Sequence, residues 1–323
     1  MRRILIISIV IIGILMISGC VRRWKVEIVN YEAPNWTSDN KIVFMKDHYV
    51  QIWEATPPII PEHQAGGHEE IYICEIDADG KNYREIAKVV DRDFEVGPLP
   101  VNLSTSSSAG EWVVYYIVTD ISNITNSPSD GEIWVIKRDG TGLKKISDNG
   151  LYPDLSPDGS KIVYQKPNQG IWIMNRDGTN DHQIVADENA HNPAWSSDGG
   201  KIGYVRSDSL GIWIVDTSGV LIFSWKGDSI VKPGGPGGID WGPSDHDAII
   251  SECGRLFPEY QDGFIVIYID SLHYFFTPFK ACVYRWSANG TYFIAHDSIG
   301  HFVASFKDTF FNVNSDTKWY LKP

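Results

Sequence analysis

Cysteine is scarce in this chain, with four in 323 residues, which excludes a scaffold built on disulfides. Basic charge is in deficit. Lys and Arg number 28 against 41 Asp and Glu, for a net charge of −13. An acidic protein is poorly suited to nucleic acid, whose phosphates need a basic face, so no nucleic-acid partner is expected. After residue 17 there is no long apolar run, which excludes a polytopic membrane protein. The motifs of several enzyme classes are missing: no GxSxG elbow, no P-loop and no GxGxxG occur. His68-Glu69-Glu70-Ile71-Tyr72 starts like a zinc-protease motif but carries Tyr72 where a second His is required. The chain is instead rich in apolar residues (43 %), aromatics (12 %), Gly (29) and Pro (17). That mixture supplies a large core and many turns, and speaks against both disorder and a mostly helical fold.

The first twenty residues have their own organisation. Arg2 and Arg3 form a basic start, Ile4 to Ile17 an apolar run, and Ser18-Gly19 a pair of small residues before Cys20. The apolar run is short for a bilayer span, which takes ~20 residues. Ile17-Ser18-Gly19-Cys20 resembles the lipobox of bacterial lipoproteins. The resemblance implies a signal peptide over 1–19, removed so that Cys20 becomes an acylated N-terminus. Removal takes two of the 28 basic residues and none of the 41 acidic ones, so the net charge falls from −13 to −15. Residues 20–23 then form a short tether, with Arg22 and Arg23 against the lipid headgroups. The strand-like run Trp24 to Val29 follows directly, so the folded domain is expected close to the membrane.

Internal repetition dominates the rest. One unit reads Tyr152-Pro153-Asp154-Leu155-Ser156-Pro157-Asp158-Gly159-Ser160-Lys161-Ile162-Val163-Tyr164 and continues to Ile171-Trp172-Ile173-Met174-Asn175-Arg176-Asp177-Gly178-Thr179. The next runs from Asn192-Pro193-Ala194-Trp195-Ser196-Ser197-Asp198-Gly199 to Ile212-Trp213-Ile214-Val215. Weaker copies open at Asn35-Trp36-Thr37, Val101-Asn102-Leu103-Ser104, Asp240-Trp241-Gly242 and Arg285-Trp286-Ser287. Taking Trp36, Leu103, Leu155, Trp195, Trp241 and Trp286 as anchors, the spacing is 40 to 67 residues. The shorter spacings match a four-stranded propeller blade of ~40–45 residues, and the longer ones carry insertions at 57–70 and 121–130. In each unit the anchor segment is one strand and Ser-Pro-Asp-Gly a tight turn. Lys-Ile-Val-Tyr is a second strand, Ile-Trp-Ile-Met a third, and a short fourth closes the unit. A lone sheet of this kind cannot cover both of its faces, whereas six arranged radially cover one another.

Trp-Ser-x-Asp-Gly-x-Lys-Ile and Ile-Trp-Ile-x-x-x-Asp-Gly resemble the WD40-like repeats of the TolB-type β-propeller, which also build the propellers of prolyl-oligopeptidase-type enzymes. The resemblance covers about residues 31–323 and implies an all-β fold of six four-stranded antiparallel blades over 24–323. TolB has an extra α/β domain before its propeller, and there is no room for one here, so TolB's partners are not carried over. To close the ring, the strand Trp24 to Asn30 is expected beside the last blade or in place of its outer strand. Phe310 to Thr317 is expected as that blade's third strand and Trp319 to Leu321 as its outer one.

Candidate functional residues are few. The lipobox resemblance makes Cys20 the expected lipidation site. The residue before each anchor reads Asn35, Asn102, Asp154, Ala194, Asp240 and Arg285. Five of these six are polar on the strand expected nearest the axis, which makes Asn35, Asn102, Asp154, Asp240 and Arg285 candidates to line the channel. They would hold water, a cation or a polar ligand, and a wet channel without function is the plainer reading. His63 and His68, with Glu62, Glu69 and Glu70, offer metal-ligand chemistry in the first insertion, where a solvated polar loop is the simpler expectation. Asp245-His246-Asp247 reads as a degenerate turn. Apart from Cys20, Cys74 is expected buried, and a Cys253–Cys282 bridge stays open.

No catalytic set, metal or cofactor is expected. The reading is a monomeric, lipid-anchored propeller in the bacterial envelope, on the periplasmic or outer face of a membrane, that binds an envelope protein. The alternatives are a propeller-based enzyme such as a polysaccharide lyase, or a carrier of a small ligand or cation.

Overall fold

Val113-Val114-Tyr115-Tyr116 and Ile212-Trp213-Ile214-Val215 are apolar or aromatic at every position. Such runs favour strands and need cover on both faces. In the computed structural model the cover comes from neighbouring sheets. It describes residues 22–56, 60–94, 107–118, 131–208, 211–226, 239–242, 248–253, 263–269, 273–277, 283–286, 292–297 and 300–305.

The first sheet holds β1 (Arg22–Trp36), β2 (Lys41–Thr56), β3 (Ile60–Asp77) and β4 (Arg84–Phe94). The second holds β5 (Ser107–Ala109), β6 (Trp112–Val118), β7 (Gly131–Lys137) and β8 (Lys144–Ser147), and the third β9 (Leu151–Leu155), β10 (Lys161–Lys166), β11 (Gly170–Asn175) and β12 (His182–Val185). The fourth holds β13 (Ala190–Trp195), β14 (Lys201–Arg206), β15 (Ile212–Asp216) and β16 (Leu221–Trp225), and the fifth β17 (Ile239–Trp241), β18 (Ala248–Cys253), β19 (Gly263–Tyr268) and β20 (His273–Thr277). The sixth holds β21 (Val283–Trp286), β22 (Tyr292–Asp297) and β23 (Gly300–Ser305) among the described residues. Each sheet is an antiparallel meander in chain order. The first strands touch in cyclic order, β1 to β5, β9, β13, β17, β21 and back to β1. The result is an all-β ring of six blades.

The core lies between blades. Met45, Ile71 and Ile73 of the first blade pack on Val113, Tyr115 and Ile136 of the second. Val114, Ile133 and Val135 pack on Leu155, Ile162 and Tyr164 of the third. Val163 and Ile173 meet Trp195, Tyr204 and Trp213 of the fourth, and Val205 and Ile214 meet Ile239, Trp241 and Ile249 of the fifth. The anchors Trp36, Leu155, Trp195 and Trp241 are all buried. Trp241 Nε1 also donates to the Ala194 carbonyl at 3.1 Å, which ties blade five to the inner strand of blade four.

Turn chemistry repeats with the sequence. In blade three Ser156 Oγ donates to Asp158 Oδ1 at 2.6 Å and accepts from Lys161 N at 2.9 Å, while Gly159 takes φ +67°. Blade four repeats this with Ser196, Asp198, Lys201 and Gly199. Blade one uses Thr37 and Asp39, with Asn40 at φ 58° in the glycine's place. The second turn has a further constraint. Gly178 has φ +89°, and a Cβ there would lie 2.9 Å from the Ile146 carbonyl of the preceding blade. Gly140 faces Ile86 in the same way. Both left-handed backbone and close approach demand glycine here.

Four expectations are corrected. The strand Trp24 to Asn30 does not join the last blade. It continues β1 outward and pairs with β2, with Trp24 opposite Trp53 and Ile28 opposite Tyr49. In blade two the register that elsewhere holds the anchor, as Leu155 opposite Ile162, is occupied by Ser108 opposite Val113. A two-residue turn, Gly110-Glu111, replaces the lost Ser-Pro-Asp-Gly and draws the inner strand toward β6, so Leu103 is not at that position. In blade six the third strand is β23 and not Phe310 to Thr317, because Asp297 and Gly300 pair across a tight connection. The segment 306–323, with the expected outer strand, lies outside the described residues. Finally, much of the first insertion is strand. β2 and β3 pair from Lys41–Asp77 out to Thr56–Ile60. Gly66 and Gly67 read as loop residues, but Gly66 sits at a β-bulge with φ 123°, and Gly67 lets the Phe94 ring lie against the backbone.

The first blade is therefore extended into an arm. β1, β2 and β3 have 15, 16 and 18 residues, whereas β9, β10 and β11 have 5, 6 and 6. The extra length is about 30 Å at ~3.3 Å per residue. It leaves the ring at the end where the first strand of each blade begins.

Candidate functional site

The innermost strands place the residues expected to line the channel. Asp154 lies opposite Val163, one residue before the anchor, and Asp240 lies opposite Ile250 at the same register. Asp154 Oδ2 accepts the main-chain N–H of Trp195 at 2.7 Å, and Asp240 Oδ2 accepts that of Trp286 at 2.7 Å. Each carboxylate thus reaches from its own inner strand to the anchor of the next blade. Asn35 is buried and pairs with Val43 at the first-blade register. Arg285 occupies the same register opposite Ile294. Asn102 lies outside the described residues, and the matching position in blade two is Ser107 opposite Val114. The repeat position is real, but two of its members act as blade-to-blade ties. They are not simply hydrated groups around a channel, because the next blade presents a main-chain donor at hydrogen-bonding distance.

A second polar constellation joins blades one and two. Glu75 on β3 is buried, and it accepts from Arg138 Nε at 2.6 Å, Arg84 Nε at 3.0 Å and Lys41 Nζ at 3.2 Å. Arg138 also bridges to Asp39 at 2.8 and 3.1 Å. Burial alone would raise the Asp39 carboxyl, but the Arg138 and Thr37 hydrogen bonds outweigh it and hold the group at about 2. Glu75 is lowered in the same way, burial being overcome by Arg138 and Lys41. This is inter-blade stapling.

The third constellation is on the arm. Strand alternation separates residues adjacent in sequence. Glu69 turns to the buried face, where burial pushes its carboxyl up despite its pairing with Arg92. His68 and Glu70 share the other face, opposite Asp93 and Asp91 of β4, and His48 of β2 is opposite Glu70. His68 Nε2 is 3.3 Å from Asp91 Oδ1, and Nδ1 is 2.8 Å from Asp93 Oδ1. His48 Nε2 is 2.8 Å from Glu27 Oε1, and Nδ1 is 3.6 Å from Glu70 Oε2. Of the insertion residues singled out in sequence whose side chains are described, His68 and Glu70 join one cluster and Glu69 does not. His63 is further out, opposite Glu54, and no side-chain position is described for Glu62 or His63. His48, Asp91 and Asp93 were not singled out, since only the strand register brings them alongside.

Cys74 is buried, with Sγ 3.4 Å from the Tyr83 hydroxyl, and burial pushes its thiol up to about 11. A thiol held protonated is no nucleophile. Cys20, Cys282 and Asp245-His246-Asp247 lie outside the described residues.

Known structures share this architecture. A protein assigned as TolB from Agrobacterium tumefaciens aligns over 87 % of this chain and 91 % of its own, with a TM-score of 0.54 and 15 % identity. The chain has the TolB-type propeller fold. A propeller in the nidogen/laminin complex aligns over 77 % of this chain and 93 % of its own, with a TM-score of 0.52 and 11 % identity. An oligogalacturonate lyase solved with manganese aligns over 93 % and 97 %, with a TM-score of 0.50 and 10 % identity. No family model matches the sequence, and no curated protein matches it. At these identities the TolB-type likeness speaks for architecture, and function must be argued from the chain's own surface.

Proposed function

We propose that this chain is a lipid-anchored propeller of the bacterial envelope that binds another envelope protein and acts as a scaffold. The observation that carries the binding role is the outer strand of blade four. Leu221 and Ile222 are 56 % and 51 % exposed on β16, the last strand of its sheet, and Val220 just before the strand is 61 % exposed. The corresponding strands β8 and β12 expose Lys144 and Lys145, and His182 and Gln183. Polar residues blunt an edge strand, whereas an apolar edge is a template for another chain.

Anchoring rests on the lipobox ending at Cys20. With acylation there, the membrane would meet the arm tip, since β1 begins at Arg22. The arm would then hold the ring about 30 Å from the lipid, and not directly against it as the short tether alone suggested. The test is affinity capture of the acylated protein and of its Leu221→Lys variant from native membranes. A partner retained by wild type and lost by the variant supports the reading. Equal capture by both removes the edge from it, and a Cys20 found unmodified in the mature protein removes the anchor.

A further inference from the structure

We propose that the exposed face of the arm is a binding site for a divalent transition ion, zinc in the first instance, with His68, Glu70, Asp91 and His48 as ligands. One ligand atom from each of His68, Glu70 and Asp91 lies within 4.8 Å of the others. His48 approaches the same Glu70 from the adjacent strand, with Nδ1 3.6 Å from Oε2. Two imidazoles with two carboxylates are a donor set suited to zinc and its first-row neighbours, and not to magnesium, which prefers oxygen and retained water.

The outer contacts argue for a built site and not a chance meeting of charges. A ligating histidine commonly passes its second ring nitrogen to a carboxylate, which fixes the ring. Both histidines have that arrangement here. Asp93 takes Nδ1 of His68 at 2.8 Å and leaves Nε2 toward Asp91. Glu27 takes Nε2 of His48 at 2.8 Å and leaves Nδ1 toward Glu70. All six residues stand on paired strands, a stiffer support than a loop: His48 is opposite Glu70, Glu70 opposite Asp91 and His68 opposite Asp93, and Glu27 lies two residues along β1 from the partner of His48. An ion needs ligand atoms about 2 Å away, so the half-buried His68 and Glu70 and the exposed Asp91 must close by side-chain rotation, and His48, outside their 4.8 Å group, must swing in from the adjacent strand.

Lys88 supplies a specific consequence. Its Nζ lies 2.5 Å from Glu70 Oε1 and 2.9 Å from Asp91 Oδ2, so an ammonium holds the two carboxylates an ion would use. Lys88 is an exposed, flexible cation and would swing out when the ion enters. It is therefore a competitor of the metal, and removing it should tighten binding.

The experiment is calorimetric titration of the detergent-solubilised mature protein, made without a polyhistidine tag and stripped with chelator, with zinc chloride and separately with magnesium chloride. Zinc is expected to bind at one site and magnesium far more weakly. His68→Gln and Asp91→Asn should each weaken zinc at least about tenfold, and Lys88→Ala should strengthen it. Circular dichroism of each variant checks folding, and Lys88→Ala, a change at an exposed side chain, keeps the test alive should a ligand variant fail to fold. Zinc binding no tighter than magnesium, equal zinc binding by wild type and folded His68→Gln, or unchanged or weaker binding by Lys88→Ala would each overturn the proposal.

Discussion

Replacing Asp154 with Ala removes the acceptor that joins blade three to the anchor strand of blade four. The bond runs 2.7 Å from the Trp195 N–H to Oδ2 and is charge-assisted. Hydrogen bonds to charged groups contribute about 1.5–3 kcal/mol, and an orphaned donor adds a desolvation cost when water cannot replace the lost partner. Asp154 is only partly buried, which lets water recover some of that loss. We therefore expect Asp154→Ala to cost about 1–3 kcal/mol, and Asp154→Asn, which keeps an acceptor but not the charge, distinctly less. Urea unfolding followed by tryptophan fluorescence measures this, provided the slope with denaturant is unchanged. A cost below about 0.5 kcal/mol for Asp154→Ala would refute the tie, and would return Asp154 to a simply hydrated place in the channel.

Further changes probe the inter-blade contacts. Trp195→Ala empties a buried position between blades three and four and should cost about 3–5 kcal/mol in the same unfolding assay. Arg138→Ala leaves the buried Glu75 with Lys41 and Arg84 but without its blade-two partner, and should cost about 1.5–3 kcal/mol, the range for losing hydrogen bonds to a charged group that keeps other partners. Asp39 and Asp158 have folded values near 2, below the ordinary 3.8. For depressed carboxyls the stabilisation is present above the unfolded value and is lost as pH falls through the folded one. Thermal stability should accordingly drop between about pH 4 and pH 2, and Asp39→Asn should show a shallower drop in a Tm series over that range.

Much of the ring was legible because its blades repeat local chemistry. Ser156-Pro157-Asp158-Gly159 and Asn175-Arg176-Asp177-Gly178 specify their turns through their own hydrogen bonds, and apolar runs between them fix the strands. What was missed depends on partners distant in sequence. Ser108 takes an anchor register that no local motif marks, because the blade-two turn is shortened. The arm was hidden because Gly66 and Gly67 look like loop residues until Phe94 is placed against them. The arm cluster could have been half read from alternation, which puts His68 and Glu70 together and Glu69 apart. Asp91 and His48 required the register of β4 and β2. Likewise, Asp154 was recognisable as a repeated polar position, but its bond to Trp195 spans 41 residues.

In the proposed function the propeller meets an envelope protein at the apolar edge of blade four while anchored through Cys20. Photo-crosslinking from position 222 in cells, compared with position 183 on the polar edge of blade three, tests it most directly. A discrete crosslinked envelope protein is expected from position 222, disappearing in the Leu221→Lys background, with none from position 183. No crosslink from position 222, or the same product from both positions, would contradict it.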